Sequence, residues 1–291
     1  MSASPLIIYE SSNTDRLSIS AWREMLGEFW AYRELTWRLM SRNFAAQFRQ
    51  SFLGYLWVIL PPVATTIVFA LLRQAQIVNV PMADGAMPYV LFALMGTTVW
   101  GFFTQVTLTT THCVAGAGNL VSRIYFPREV LAVSSALNAV INLCIRIVVL
   151  ALTFALARYT PHWQVIFAPL LLIPLMALAM GFGLLFAPIN TMMDDMGRML
   201  DFAFQFGLFL APTVYPTPKL EAIAGKWDLA LFWIHSLNPV SHFLHAMQSL
   251  VETGTFDVTR GLVVSTILSF LVLAAGWRFF HICEPLLAER L

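Results

Sequence analysis

"RQSFLGYLWVILPP", residues 49–62, places two large aromatics, a glycine and two prolines at the start of a run without Asp, Glu, Lys or Arg. That run ends only at Arg73. A helix of about 20 apolar residues crosses the roughly 30 Å hydrocarbon core of a bilayer, so the run reads as a membrane span. Arg49 and Gln50 fall where the span meets the headgroups. Gly54 is expected to let a second helix approach closely. Tyr55 and Trp57 suit either the interface or the lining of a passage. Pro61 and Pro62 should kink the span, which is tolerable where neighbouring groups satisfy the freed carbonyls.

The rest of the chain supports the same solvent. Hydrophobic residues make up 58%, charged residues 11%, and the mean hydropathy is +0.72. Soluble domains carry about 25% charge. The net charge of +1 says little about partners, and no basic, aromatic-interleaved stripe suggests nucleic acid. Cys113, Cys144 and Cys283 lie far apart without metal-ligand spacing, so no metal site is expected. No cleaved leader is expected either, and insertion through the chain's own spans follows.

Uncharged runs predict an all-α polytopic membrane protein with six transmembrane helices. They lie at about 51–72, 88–108, 130–157, 165–187, 202–215 and 261–280, within a transmembrane domain over 51–284. A further run, 229–251, holds His235, Asn238, Pro239, His242, His245 and Gln248. Polar groups and backbone breaks at that density survive in lipid only when covered by protein or lining a cavity. Residues 215–257 therefore read as a re-entrant or outer hairpin of short helices between spans five and six, with a seventh span as the alternative. Arg and Lys are biased eleven to five towards the segments that share the N-terminal side. The bias puts both termini in the cytoplasm. Residues 1–21 form an N-terminal tail and 285–291 a short cytoplasmic one. Between 22 and 50, Trp22, Met25, Leu26, Phe29, Trp30, Trp37, Met40, Phe44 and Phe48 share one helical face opposite Glu24, Glu28, Arg38, Arg42 and Arg49. That is the pattern of an interfacial amphipathic helix.

Four segments carry a resemblance. They are "RQSFLGYLWVILPP" itself, "PYVLFALMGTTVWGFF" (88–103), "NLVSRIYFPREVL" (119–131), and "FLAPTVYP" with "LNPVSHF" (209–216 and 237–243). In this order on a six-span plan they resemble the membrane subunits of ABC exporters for polysaccharide and polyol phosphate, the families of O-antigen, capsule and teichoic-acid export. The chain departs from them in its N-terminal extension and around Arg146. The resemblance implies a permease in the bacterial inner membrane that is not itself an enzyme. It implies a homodimer joined to two copies of a cytoplasmic ATP-binding subunit, which holds the ATP and Mg²⁺. It also implies a passage for a lipid-linked polysaccharide, with the O-antigen or capsule type preferred.

The chain's own residues fit a powered partner. A phosphate-cradling loop needs G-x-x-x-x-G-K-[ST]. The only Gly-Lys pair, Gly225 and Lys226, is followed by Trp227 and has Leu220 where the first glycine belongs. ATPase docking is expected at Asn119, Leu120, Val121, Ser122, Arg123 and Ile124, with a second contact at Asp194, Asp195 and Arg198; an ordinary connecting loop is the plainer alternative. Tyr55, Trp57, Arg146, Phe202, Phe206 and Phe209 are candidates for the substrate path, because flat aromatic faces let sugar rings slide. Arg146 could meet a lipid-linked phosphate, or could pair with Asn138 or Asn142 on its own helix. Tyr215, Asn238 and Pro239 are candidates for an outer gate. Paired Asp194 and Asp195 also raise a rival function, a membrane-embedded transferase acting on polyprenyl-phosphate-linked sugars through Mg²⁺.

Overall fold

The computed structural model of the chain describes residues 27, 30–49, 51–78, 80, 87–117, 126–193, 195–216 and 226–290. The 1–21 tail, the docking candidates at 119–124 and Asp194 lie outside the described residues. Every regular element among the described residues is a helix. Helix α1 is Arg33–Phe48, α2 is Leu56–Gln74, α3 is Tyr89–Thr111 and α4 is Glu129–Leu156. A 3-10 turn at Trp163–Phe167 leads into α5, Ala168–Met192. Then come α6 (Asp195–Gly207), α7 (Lys226–Leu237), α8 (Pro239–Glu252) and α9 (Arg260–Arg290). Five stretches are long and apolar enough to cross a membrane: Leu56–Gln74, Tyr89–Thr111, Glu129–Leu156, Trp163–Met192 and Arg260–Glu284. They correspond to expected spans one to four and six.

Helix α3 is the centre of the bundle, buried on nearly all sides, whereas α2, α4 and α9 are exposed along most of their length. Its sequence is rich in threonine, and four of the hydroxyls find their partner within the helix. Thr97, Thr107, Thr109 and Thr111 each donate to the carbonyl four residues back, at 2.7–2.9 Å. Polar residues satisfied within one turn can be buried in an apolar core. On the other side, α5 and α9 cross at a glycine pair. A Cβ on Gly181 would lie 2.6 Å from the backbone of Val272 and Leu273, and one on Gly276 would meet the Gly181 carbonyl. Small residues let two backbones touch, which is how helices gain packing where lipid supplies no hydrophobic drive.

The bundle has two distinct ends. One gathers Leu39 of α1, Cys113, Val114, Phe126, Leu131, Leu184 and Phe280 into a buried cluster. The opposite end gathers Met87, Leu91, Phe92, Phe154 and Val251, beside Tyr89 and Val214. Helix α1 docks at the first end through Thr36, Leu39 and Met40, leaving Trp30 and Trp37 exposed. The amphipathic reading puts Trp30 and Trp37 on the apolar face with Met40, opposite Arg38 and Arg42; in the structure Met40 is buried, whereas Trp30 and Trp37 stay exposed, as Arg38 and Arg42 are.

Two expectations change. The stretch at 202–215 is not one continuous helix: α6 starts earlier, at Asp195, and gives way to a 3-10 turn at Leu208–Leu210 and irregular backbone beyond. Pro212 and Pro216 cannot continue an α-helical ladder. The 13 residues of α6 make a helix about 20 Å long, short of a bilayer core. Gly54, expected to admit a neighbouring helix, has open space around it and a φ of +50°. It turns the chain from α1 into α2 in the left-handed region, where glycine carries no Cβ penalty.

Candidate functional site

The opening stretch folds as an elbow. Tyr55 packs its ring on Phe48 at 4.5 Å between centroids, closing α2 back onto α1. Trp57 is exposed on α2, in a stripe with Leu60, Ile67, Val68 and Leu71. Below that stripe the two prolines act. Val58 is the residue whose carbonyl would accept from position 61 or 62 in a helix, and both positions lack an N–H. Arg146 of α4 fills the vacancy, its Nε donating to the Val58 carbonyl at 3.1 Å. Gly101, midway along α3, makes the room: a Cβ there would lie 2.7 Å from Nη1 of Arg146. The expected pairing of Arg146 with Asn138 or Asn142 does not form; the arginine reaches across to α2 instead.

Phe202 and Phe206 lie one helical turn apart on α6, exposed, with ring centroids 4.9 Å apart. Phe209 continues the stripe and meets Phe69 of α2 at 5.8 Å. The path candidates therefore fall on two elements, α2 and α6, that both present aromatic faces outward from α3. Arg146 sits at the α2–α4 side, apart from the phenylalanines.

The broken end of α6 is where the gate candidates converge. Unwinding leaves carbonyls without helical donors, and six of them accept from side chains. Trp100 Nε1 donates to Phe204 O at 3.2 Å and Thr213 Oγ1 to Leu208 O at 2.7 Å. Tyr215 Oη donates to Phe209 O, and Asn238 Nδ2 to Leu210 O at 3.3 Å. Gln248 Nε2 reaches Pro212 O at 3.1 Å, and Tyr89 Oη reaches Val214 O at 3.0 Å. Irregular backbone beside an apolar core persists only when satisfied in this way. Asn238 does double duty, its Oδ1 accepting from Val240 N at 3.0 Å as the N-cap of α8, with Pro239 at the first helical position. Helix α8 is buried among α3, α5 and α9 through Phe243, Leu244, Met247 and Leu250. Behind Tyr215 stacks His235, fully buried, its ring nitrogens without a hydrogen-bond partner and its pKa lowered to about 4 by burial.

The α1 end holds a second, ionic cluster that sequence reading missed. His281 Nδ1 lies 2.8 Å from Glu129 Oε1 and 4.0 Å from Glu284 Oε2. Arg128 donates through its backbone N–H to Glu284 Oε1 at 3.4 Å and through Nη1 to the Glu284 carbonyl. Glu129, His281 and Glu284 bring ligating atoms within 4.8 Å of one another, the spacing a metal would use. His281 Nδ1 against Glu129 and the Arg128 backbone N–H against Glu284 already engage both carboxylates, and the cluster reads as a polar clasp between the start of α4 and the end of α9. It follows directly on the expected docking segment, and "PRE" at 127–129 was its only visible half. Nearby, Asn190 Oδ1 accepts from Gly197 N at 2.8 Å while its Nδ2 faces His112 Nδ1 at 3.2 Å, tying the start of α6 to the end of α3. Asp195 and Arg198 pair at 3.5 Å on this same end, both exposed.

Five apolar helices among the described residues, one of them buried at the centre, with a short docked helix at one end and paired short helices at the other, define a multi-pass helical membrane protein. The chain belongs to the ABC-2 type transporter family, which it matches over residues 34–251. It is thus the membrane subunit of a transporter rather than a catalytic enzyme, of a family that works with an ATP-binding subunit. It is also similar to the O-antigen export system permease protein RfbA of Myxococcus xanthus, with 22% identity over 258 residues, 88% of this chain and 95% of that protein.

Proposed function

We propose that the chain is the transmembrane subunit of an ATP-driven exporter that moves a lipid-linked polysaccharide, of O-antigen or capsule type, across the bacterial inner membrane. The likeness to RfbA along nearly the whole of both chains is the observation that carries the substrate class. In this reading two copies meet across the exposed faces of α2, α4 and α6, and two ATP-binding subunits dock at the α1 end, which is cytoplasmic. Leu120 and Ile124 seat in a groove of the ATPase, with Asp195 and Arg198 as a flanking contact. The clasp of Arg128, Glu129, His281 and Glu284 carries the push into α4 and α9.

Residues 195–216 serve as a sixth crossing made of two parts. They run beside α3 along its length, since Gly197 faces His112, Gly207 faces Trp100 and Val214 faces Tyr89. The helical half presents Phe202, Phe206 and Phe209 to the polymer. The irregular half, braced by α8, forms the outer gate. Aromatic faces attract sugar rings without the directional bonds that would halt them, which suits repeated sliding.

The test is genetic and chemical together. Loss of the chain should abolish surface polysaccharide while lipid-linked polymer accumulates inside, and restoring it should reverse both. If surface polymer persists while its lipid-linked precursor is never made, the chain acts in synthesis and the export reading fails.

A further inference from the structure

We propose that Arg146 is a fixed receptor, midway through the membrane, for the phosphate or diphosphate group of the carried lipid. This rests on the export reading above and assigns a ligand to one point on its path. Arg146 lies deep in α4, and its charge is permanent. One of its five N–H groups is used, by the Val58 carbonyl. Nη1 and Nη2 have no hydrogen-bond partner among the described residues, and Arg146 makes no ion pair there.

Among the described residues, no carboxylate pairs with Arg146. The sequences of α2, α3 and α5 contain no Asp or Glu. The acid on α4 is Glu129, 17 residues and about 25 Å away along the helix. A charged guanidinium at such depth is unfavourable unless it faces water or an anion, which is why intramembrane charges mark pathways. The side chain is also half-buried rather than enclosed, opening between the exposed faces of α2 and α4.

The surroundings hold the fork in place. Val58 fixes Nε, and Gly101 leaves the space that Nη1 enters, so the two terminal nitrogens are presented without rotamer search. A planar pair of donors matches two oxygens of one phosphate, and the bond is stronger where water is scarce. Sugar hydroxyls would gain far less from a full positive charge. Within a bilayer, two sources supply such an anion: the phosphate of an ordinary phospholipid and the diphosphate that joins a polymer to a polyprenyl chain.

The rival account is that Arg146 exists only to cap the carbonyl that Pro62 orphans. The two accounts separate in the variant Pro62→Ala, whose restored N–H donates to Val58 within the helix and makes the cap redundant. The complex of this chain with its ATP-binding subunit, in nanodiscs, is titrated with a polyprenyl diphosphate, with phosphatidylglycerol, and with inorganic pyrophosphate. The readout is the concentration giving half-maximal stimulation of ATP hydrolysis, alongside the shift in melting temperature.

Expected is tenfold or greater weakening for polyprenyl diphosphate in Arg146→Gln, a smaller loss in Arg146→Lys, and the same tenfold loss when Arg146→Gln is combined with Pro62→Ala. Full recovery in that double variant overturns the proposal and leaves the cap alone. An equal response to phosphatidylglycerol overturns the assignment to the carried lipid. A wild-type complex that exports polymer yet is indifferent to Arg146→Gln overturns this inference and spares the export reading. A wild-type complex that neither exports polymer nor responds to its lipid overturns both.

Discussion

Val58 carries a carbonyl its own helix cannot use, and the consequence reaches Arg146 on another helix. From sequence, the lone arginine and the double proline both stood out, but as separate puzzles. The arginine was expected to find Asn138 or Asn142, because residues on one helix face are the neighbours that spacing reveals. The partner lay 88 positions away and was a backbone atom, freed by what Pro62 lacks. Spacing along one helix has no means of pointing there. Gly54 shows the same limit in reverse: a glycine near a span suggested close packing, yet its φ of +50° is what the elbow demands. Substituting Gly54 with Ala should therefore lower stability by roughly 1 kcal/mol, the strain of a left-handed Cβ, measurable as a reduced melting temperature in detergent. An unchanged transition would mean that the elbow tolerates another backbone.

Helices were legible wherever charge was absent for long enough, although the last one runs to Arg290, ten residues past the expected end at 280. The crossing at 202–215 was harder. Its uncharged run located the element, but hydropathy cannot distinguish a helix from an irregular strand whose carbonyls are bound by side chains. The donors, Tyr89, Asn238 and Gln248, come from other helices and only folding assembles them. The outer hairpin divides at Asn238, where the cap and the proline begin α8, so two helices of 12 and 14 residues replace any single span over 229–251.

His235 gives that hairpin a pH dependence. Its folded pKa of about 4 lies below the ordinary 6.5, so between these values an opened hairpin binds a proton that the closed one refuses. Stability is full above pH 6.5 and falls as pH drops toward 4. Protease sensitivity of the hairpin should rise across that window in the wild type and stay level in His235→Leu. A different element sets rigidity: Gly181→Ala places a methyl against the α9 backbone and should destabilise by about 2–3 kcal/mol, read as loss of folded protein on heating.

On the scale of the whole molecule, two buried clusters mark opposite ends of the bundle. The Glu129–His281 clasp sits at one and the α6–α8 brace at the other. Composition announced a membrane protein, and the family match places it among ABC-2 type transporters. What stayed hidden was the clasp between α4 and α9, because His281 and Glu284 lie at the far end of the sequence from Glu129. Replacing Leu120 and Ile124 with Arg should uncouple export from ATP hydrolysis while leaving the purified subunit monodisperse; export at the wild-type rate would remove the docking assignment. Asp194→Asn with Asp195→Asn should reduce export by no more than severalfold. Complete loss of polymer synthesis in that variant would instead favour the transferase.

The glycine contact between α5 and α9 has a mechanical meaning. Two backbones in contact at Gly181 and Gly276 leave no side chain between them to yield, so relative motion there meets the backbone first. In the export reading proposed above, α5 and α9 are expected to act as the frame against which α2, α4 and α6 move. Spectroscopic labels paired across α5 and α9 should hold one distance throughout turnover, while labels on α2 and α6 change theirs.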